Sequence, residues 1–92
     1  MQKVIIAQIT IQQGKENDFL KLAVEMVKTS NTETGCITYQ LHKDLFSEGN
    51  YLFYEEYIDS KAVDAHNNSA HFHQFIKNIT PLITKEPIIN IY

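Results

Sequence analysis

Apolar side chains in this chain recur at every second position, then at helical spacing, then at every second position in two further runs, then at helical spacing again before a last short alternating run. Lys3 to Gln12 alternates, with Ile5, Ala7, Ile9 and Ile11 on one face and Val4, Ile6, Gln8 and Thr10 on the other, and its β-branched residues predict a first strand. Gly14 ends it, and Glu16 and Asp18 fall in a first helical turn, where negative charge complements the helix dipole. Phe19, Leu22, Ala23, Met26, Val27 and Ser30 then form one stripe about three turns long, which should pack on a sheet.

Glu33-Thr34-Gly35 reads as a turn, with Gly35 expected at positive φ, and Cys36 to Lys43 alternates as a second strand. A loop through Ser47-Glu48-Gly49-Asn50 leads into the third, Tyr51 to Ile58, whose two faces each mix bulky apolar groups with one carboxylate. Asp59 or Ser60 can cap a short helical piece carrying Ala62, Val63 and His66 on one side, and Asn67-Asn68-Ser69 interrupts it. Ser69 can cap a second piece with a stripe of Phe72, Phe75, Ile76, Ile79, Leu82 and Ile83, and Pro81 should kink or tighten its last turn. After Pro87, Ile88 to Tyr92 reads as a final strand. The order β-α-β-β-α-β predicts an α+β, ferredoxin-like fold: a four-stranded antiparallel sheet with both helices on one side.

A sheet covered on one side should be polar on the other, yet Val4, Ile6, Leu52, Tyr54, Ile88 and Tyr92 oppose the apolar residues of the first face. A second copy of the same sheet is the simplest cover. We therefore expect a homodimer with sheets packed face to face, which would also compensate for the thin core of a chain of 92 residues.

Composition narrows the function. The chain reads as one domain, residues 1–92, with no apolar run near the roughly 20 residues of a membrane helix and no leader pattern, so a cytoplasmic location and no membrane partner are expected. All eight basic residues are lysines, scattered along a chain of net charge −3, which argues against a nucleic-acid partner. The absence of arginine removes the usual bidentate clamp for anions and favours a largely uncharged, aromatic small-molecule ligand. Cys36 stands alone and reads as a small buried residue.

Chemistry concentrates between Tyr54 and Phe75, which holds two adjacent glutamates, two tyrosines and three of the four histidines. His66 lies on the inward side of its helix, where it is either a hydrogen-bonded core histidine or a proton-transferring group. His71 either joins it or caps the second helical piece; His73 and His42 read as surface groups. Metal binding by His66, His71 and His73 is disfavoured, since 71 and 73 point to different sides of a helix and the break at 67–69 spoils any alignment with 66, and no metal or cofactor is expected. Glu55 and Tyr57 share one face of the third strand, Tyr54 and Glu56 the other, and a one-residue error of register exchanges the pairs.

The pattern of Gly14, then Glu33-x-Gly35-Cys36-x-x-Tyr39, then Tyr54-Glu55-Glu56-Tyr57-x-Asp59-x-x-Ala62-x-x-x-His66-x-x-Ser69-x-His71-Phe72-x-x-Phe75 resembles the antibiotic biosynthesis monooxygenase domain over nearly the whole chain. The resemblance is strongest to small single-domain members such as the quinol monooxygenases, and it implies a dimeric α+β barrel. It further implies oxidation of a small quinol-like or aromatic substrate by dioxygen, without metal or flavin, in a pocket where substrate supplies the electrons. The residues so implicated are His66, Tyr57 and His71 as catalytic groups, with Glu55, Tyr39, Phe53 and Phe72 binding substrate. The chain departs from many relatives in having Tyr57 where they carry Trp, and haem degradation is disfavoured because the first strand lacks an asparagine and Ile76 stands where that branch has a histidine. An isomerase or related carbonyl-enol enzyme, and a non-enzymatic ligand-binding dimer, are the alternatives the same fold allows.

Overall fold

The computed structural model describes all 92 residues, Met1–Tyr92. Strands β1 (Lys3–Thr10), β2 (Cys36–Lys43), β3 (Asn50–Tyr57) and β4 (Ile88–Ile91) form one antiparallel sheet in the order β2-β3-β1-β4. Helices α1 (Glu16–Ser30), α2 (Ser60–Asn67) and α3 (Ala70–Ile79) join them, so the ferredoxin-like α+β arrangement expected from the sequence is present, with the second helix divided in two. No helix is long and apolar enough to cross a membrane.

Strand β1 is shorter than its alternation. Ile11 makes only an isolated bridge to Ile83, because the chain turns away at Gly14, which sits at φ 85°. The α1 stripe buries Phe19, Ala23, Met26 and Ser30 against the sheet, four positions spaced at three and four residues, as a one-sided amphipathic helix requires. The Asp59 carboxylate accepts from the Ala62 N–H at 2.9 Å to start α2, and the Ser69 hydroxyl accepts from the Phe72 N–H at 3.2 Å to start α3. Pro81 falls in a 3-10 turn over Thr80–Leu82, which tightens the end of α3 rather than kinking it, since proline suits an early position of such a turn and supplies no N–H there.

Gly35 departs from expectation. Positive φ is confined to Gly14 and Gly49, and Gly35 is needed for room instead: a side chain there would collide with Ala62 Cβ of α2. The α1–β2 turn is thereby seated directly on α2, a contact with consequences for the site below.

The core lies on one face of the sheet. Ile5, Ala7, Ile9, Tyr39, Tyr51, Phe53, Glu55 and Tyr57 are buried beneath the helices, while Val4, Ile6, Leu52, Tyr54 and Glu56 on the other face are half-buried with no layer over them. Gly35→Ala is expected to destabilise the chain by about 1–3 kcal/mol through overpacking, whereas Gly14→Ala, with open space around its Cβ, should lose only the left-handed backbone penalty of about 1–2 kcal/mol. Denaturant midpoints of the two variants check the mechanism, because the Gly35 cost alone should be relieved by pairing it with Ala62→Gly.

Candidate active site

The register of β3 decides which of its two glutamates is enclosed. Glu55 pairs with Ile5 of β1 and with Tyr39 of β2, which places Tyr51, Phe53, Glu55 and Tyr57 on the helix side and leaves Tyr54 and Glu56 on the open side. Each face carries its own tyrosine–carboxylate pair, Tyr57 donating to Glu55 at 2.8 Å inside and Tyr54 donating to Glu56 at 2.7 Å outside. They differ in setting: Glu55 is 5% exposed.

Between the sheet and α3 lies a cavity of about 430 Å³, large enough for a one- or two-ring aromatic molecule. Its lining is almost wholly apolar, from Ile5, Ala7 and Ile9 of β1, Phe72, Phe75 and Ile76 of α3, and Ile89 and Ile91 of β4. Tyr39 and Phe53 complete the sheet wall, Asn67 stands at the end of α2, and Glu55 is the single carboxylate on the lining. All four residues read from sequence as substrate-binding, Glu55, Tyr39, Phe53 and Phe72, therefore lie on this wall.

His66, Tyr57 and His71 do not line it. Tyr57 is fully buried beside Glu55 on the same face of β3, its hydroxyl spent on that carboxylate. His66, 1% exposed, packs its ring on Tyr39, Tyr57 and Phe72 with centroids 5.1–5.5 Å away. Its Nδ1 donates to Glu33 Oε2 at 2.7 Å, and His71 Nε2 donates to the same oxygen at 2.6 Å. Glu33 was read from sequence as a turn residue, although its place in the Glu33-x-Gly35-Cys36-x-x-Tyr39 motif was the one signal that could have singled it out; seating of the turn on α2 through Gly35 brings it to the histidines. Asn67 was read only as part of the helix break. That break is also what joins the histidines: on one continuous helix residues five apart diverge by about 140°, and the Asn68–Ser69 corner turns His71 back toward His66, ring centroids 5.7 Å apart. His42 and His73 are exposed and join neither group.

Burial governs the protonation of these groups. Loss of water raises the Glu55 pKa to about 7, opposed by hydrogen bonds from Tyr57 and Tyr39 and assisted by the charge of Glu33. The same burial, with the Glu55 charge beside them, pushes both tyrosines up, so they remain donors over the whole physiological range. His66 is shifted down by burial, against the pull of Glu33. The Cys36 thiol is raised to about 11 by burial and by the two glutamates, which suits an inert thiol. The arrangement can therefore seat an aromatic molecule in an apolar cleft against one carboxylate that changes charge near neutral pH.

A family model described as antibiotic biosynthesis monooxygenase matches residues 3–78. The chain belongs to the antibiotic biosynthesis monooxygenase family. Among members with names, it is 32% identical over 73 residues to Bacillus subtilis YcnE, provisionally named a monooxygenase, covering 79% of this chain and 77% of that one. It is 29% identical over 89 residues, 97% of its length, to an uncharacterised Synechocystis protein, of which it spans 60%. A crystal structure described as an antibiotic biosynthesis monooxygenase superposes with a TM-score of 0.93 at 29% identity, over 100% of this chain and 96% of that one. Membership in the antibiotic biosynthesis monooxygenase family supports a monooxygenase-like role at the level of the family.

Because Glu55 ionises near 7 when folded and near 4.5 when unfolded, the folded state holds the extra proton between those values, and stability falls as pH rises through that window. Glu55→Gln removes the effect. The variant should be more stable than the parent by up to about 3 kcal/mol above pH 7.5, with the difference shrinking to its low-pH value below pH 4.5 in urea denaturation.

Proposed function

We propose that this protein is a cofactor-independent monooxygenase that oxidises a small quinol-like or aromatic substrate with dioxygen. The observation that carries the reading is the apolar cavity bearing one carboxylate, Glu55, whose pKa of about 7 lets it take up a proton and release it near neutral pH.

In the proposed reaction Glu55 removes a proton from an acidic C–H or O–H of the bound substrate, and Tyr39, whose hydroxyl donates to the Glu55 carboxylate beforehand, turns to the resulting anion once that carboxylate is neutral. That anion passes an electron to dioxygen, and the two radicals combine to a substrate peroxide. Loss of water from the peroxide converts a ring CH₂ to C=O, so one oxygen atom enters the product, the other leaves as water, and substrate supplies all four electrons. The apolar wall of Phe53, Phe72 and Ile76 suits this chemistry, because it admits dioxygen and keeps water from quenching the anion. Tyr57 has a positioning role, holding the Glu55 carboxylate toward the cavity. His66 and His71 stand behind that wall and act on the reaction only through it.

A homodimer completes the reading. The half-buried outer face of Val4, Ile6, Leu52 and Tyr54 is the surface we assign to a second copy, sheet against sheet. Leu52→Asp should convert a species of twice the chain mass to a monomer in analytical ultracentrifugation.

The activity is tested by oxygen uptake with one- and two-ring aromatic quinols against the spontaneous rate. Turnover should rise with pH through about 7 as Glu55 ionises, and Glu55→Gln should lower kcat by at least about 100-fold and abolish that rise. Tyr57→Phe should displace the pH midpoint upward, since the phenol holds the carboxylate down. Uptake no faster than autoxidation with every substrate would overturn the proposal; product formed equally fast without oxygen would assign the same base to a carbonyl-enol isomerisation instead.

A further inference from the structure

We propose that Glu33, His66 and His71 form a binding site for one divalent transition-metal ion, zinc being the best matched occupant, and that the ion braces the cavity wall from behind. The proposal stands apart from the oxygen chemistry above, since none of the three residues lines the cavity.

Three elements deliver the donors: Glu33 from the α1–β2 turn, His66 from the last turn of α2 and His71 from the first turn of α3. One ligand atom of each, Glu33 Oε2, His66 Nδ1 and His71 Nε2, lies within 4.8 Å of the other two. Two imidazole nitrogens and one carboxylate oxygen are the protein ligands of zinc sites that keep a fourth position open. Softer thiolate selection plays no part, and an all-oxygen shell of the kind calcium and magnesium take is absent, so the donor set favours zinc, cobalt or iron over the hard cations.

The surroundings fit an ion in two further respects. Glu33 pairs with no lysine; its charge is shared between the two rings alone. The His66 side chain is 2% exposed, whereas those of Glu33 and His71 are 18% and 28% exposed, so one ligand is held rigidly and the other two face an entry path where water can supply the fourth donor. Ligation uses the Nδ1 lone pair, so the His66 proton moves from Nδ1 to Nε2 and the ion takes the place of the Nδ1–H···Glu33 hydrogen bond. Zinc bonds of roughly 2.0–2.1 Å at tetrahedral angles separate ligand atoms by about 3.3 Å, which requires the present 2.6–2.7 Å contacts to open by about 0.6 Å. Movement of the two partly exposed side chains supplies that.

Binding would tie the α1–β2 turn to the α2–α3 corner. The His66 ring lies against Tyr39 and Phe72, both of which line the cavity, so the ion would stiffen that wall without touching the substrate.

The test is titration of tag-free, chelator-treated full chain with Zn²⁺ alone, followed by calorimetry and thermal melting, with Co²⁺ as a spectroscopic probe. One saturable equivalent, a melting temperature raised by at least about 5 °C at a hundredfold excess over Kd, and the intense visible bands of four-coordinate Co²⁺ are expected. His71→Ala and Glu33→Gln should each weaken Zn²⁺ by more than the 10–100-fold typical of losing an outer partner, while His42→Ala and His73→Ala leave it unchanged. No saturable equivalent on the parent protein overturns the proposal outright, whatever the variants do. So does binding that survives both His71→Ala and Glu33→Gln, or that is lost with His42 or His73.

Discussion

The register of β3 between β1 and β2 is the constraint on which the rest of this structure depends. Side chains alternate across a sheet, so a shift of one residue would send Glu56 and Tyr54 beneath the helices and Glu55 and Tyr57 to the open face. The apolar set decides the matter: Tyr51 and Phe53 have the core of α1 and α3 to fill, and they share their face with Glu55 and Tyr57. Enclosure of a carboxylate is thus a consequence of burying two aromatic rings. Tyr57 then makes that enclosure tolerable by donating to the carboxylate, and the remaining cost appears as a pKa raised to about 7.

A short chain has little reason to hold such a group for stability. Replacing a buried polar network by apolar residues of similar volume is often neutral or stabilising, and here hydrogen bonds join Tyr57 to Glu55 and Glu33 to His66 and His71, with the His66 ring packed on Tyr57. Residues with strongly shifted protonation beside a cavity are candidates for a functional site. In the space between sheet and α3 the Glu55 carboxylate reaches the cavity, whereas His66 and His71 do not line it.

The break between α2 and α3 is the second device. Asn68 closes α2, and Ser69 bonds back to the His66 carbonyl while capping α3, so one residue ends one helix and starts the next. A continuous helix would have carried His71 away from His66 and set Phe72 at a different depth. Gly35 completes the arrangement by letting the α1–β2 turn approach α2 closely enough for Glu33 to meet both rings.

Hydrophobic period, caps and glycines in the sequence were sufficient to determine the order of elements, the four strands, the split second helix and the stripe of α1, because each rests on neighbours within a few residues. The sequence also singled out Glu55, Tyr39, Phe53 and Phe72 as candidate pocket residues, and all four line the cavity. Tertiary structure alone decided which face of β3 was enclosed, that Gly35 serves close packing rather than a left-handed turn, and that Glu33 joins His66 and His71 from more than thirty positions away. Those outcomes depend on how two layers and a corner fit together in space, and the spacing of residues along a chain carries no record of that fit.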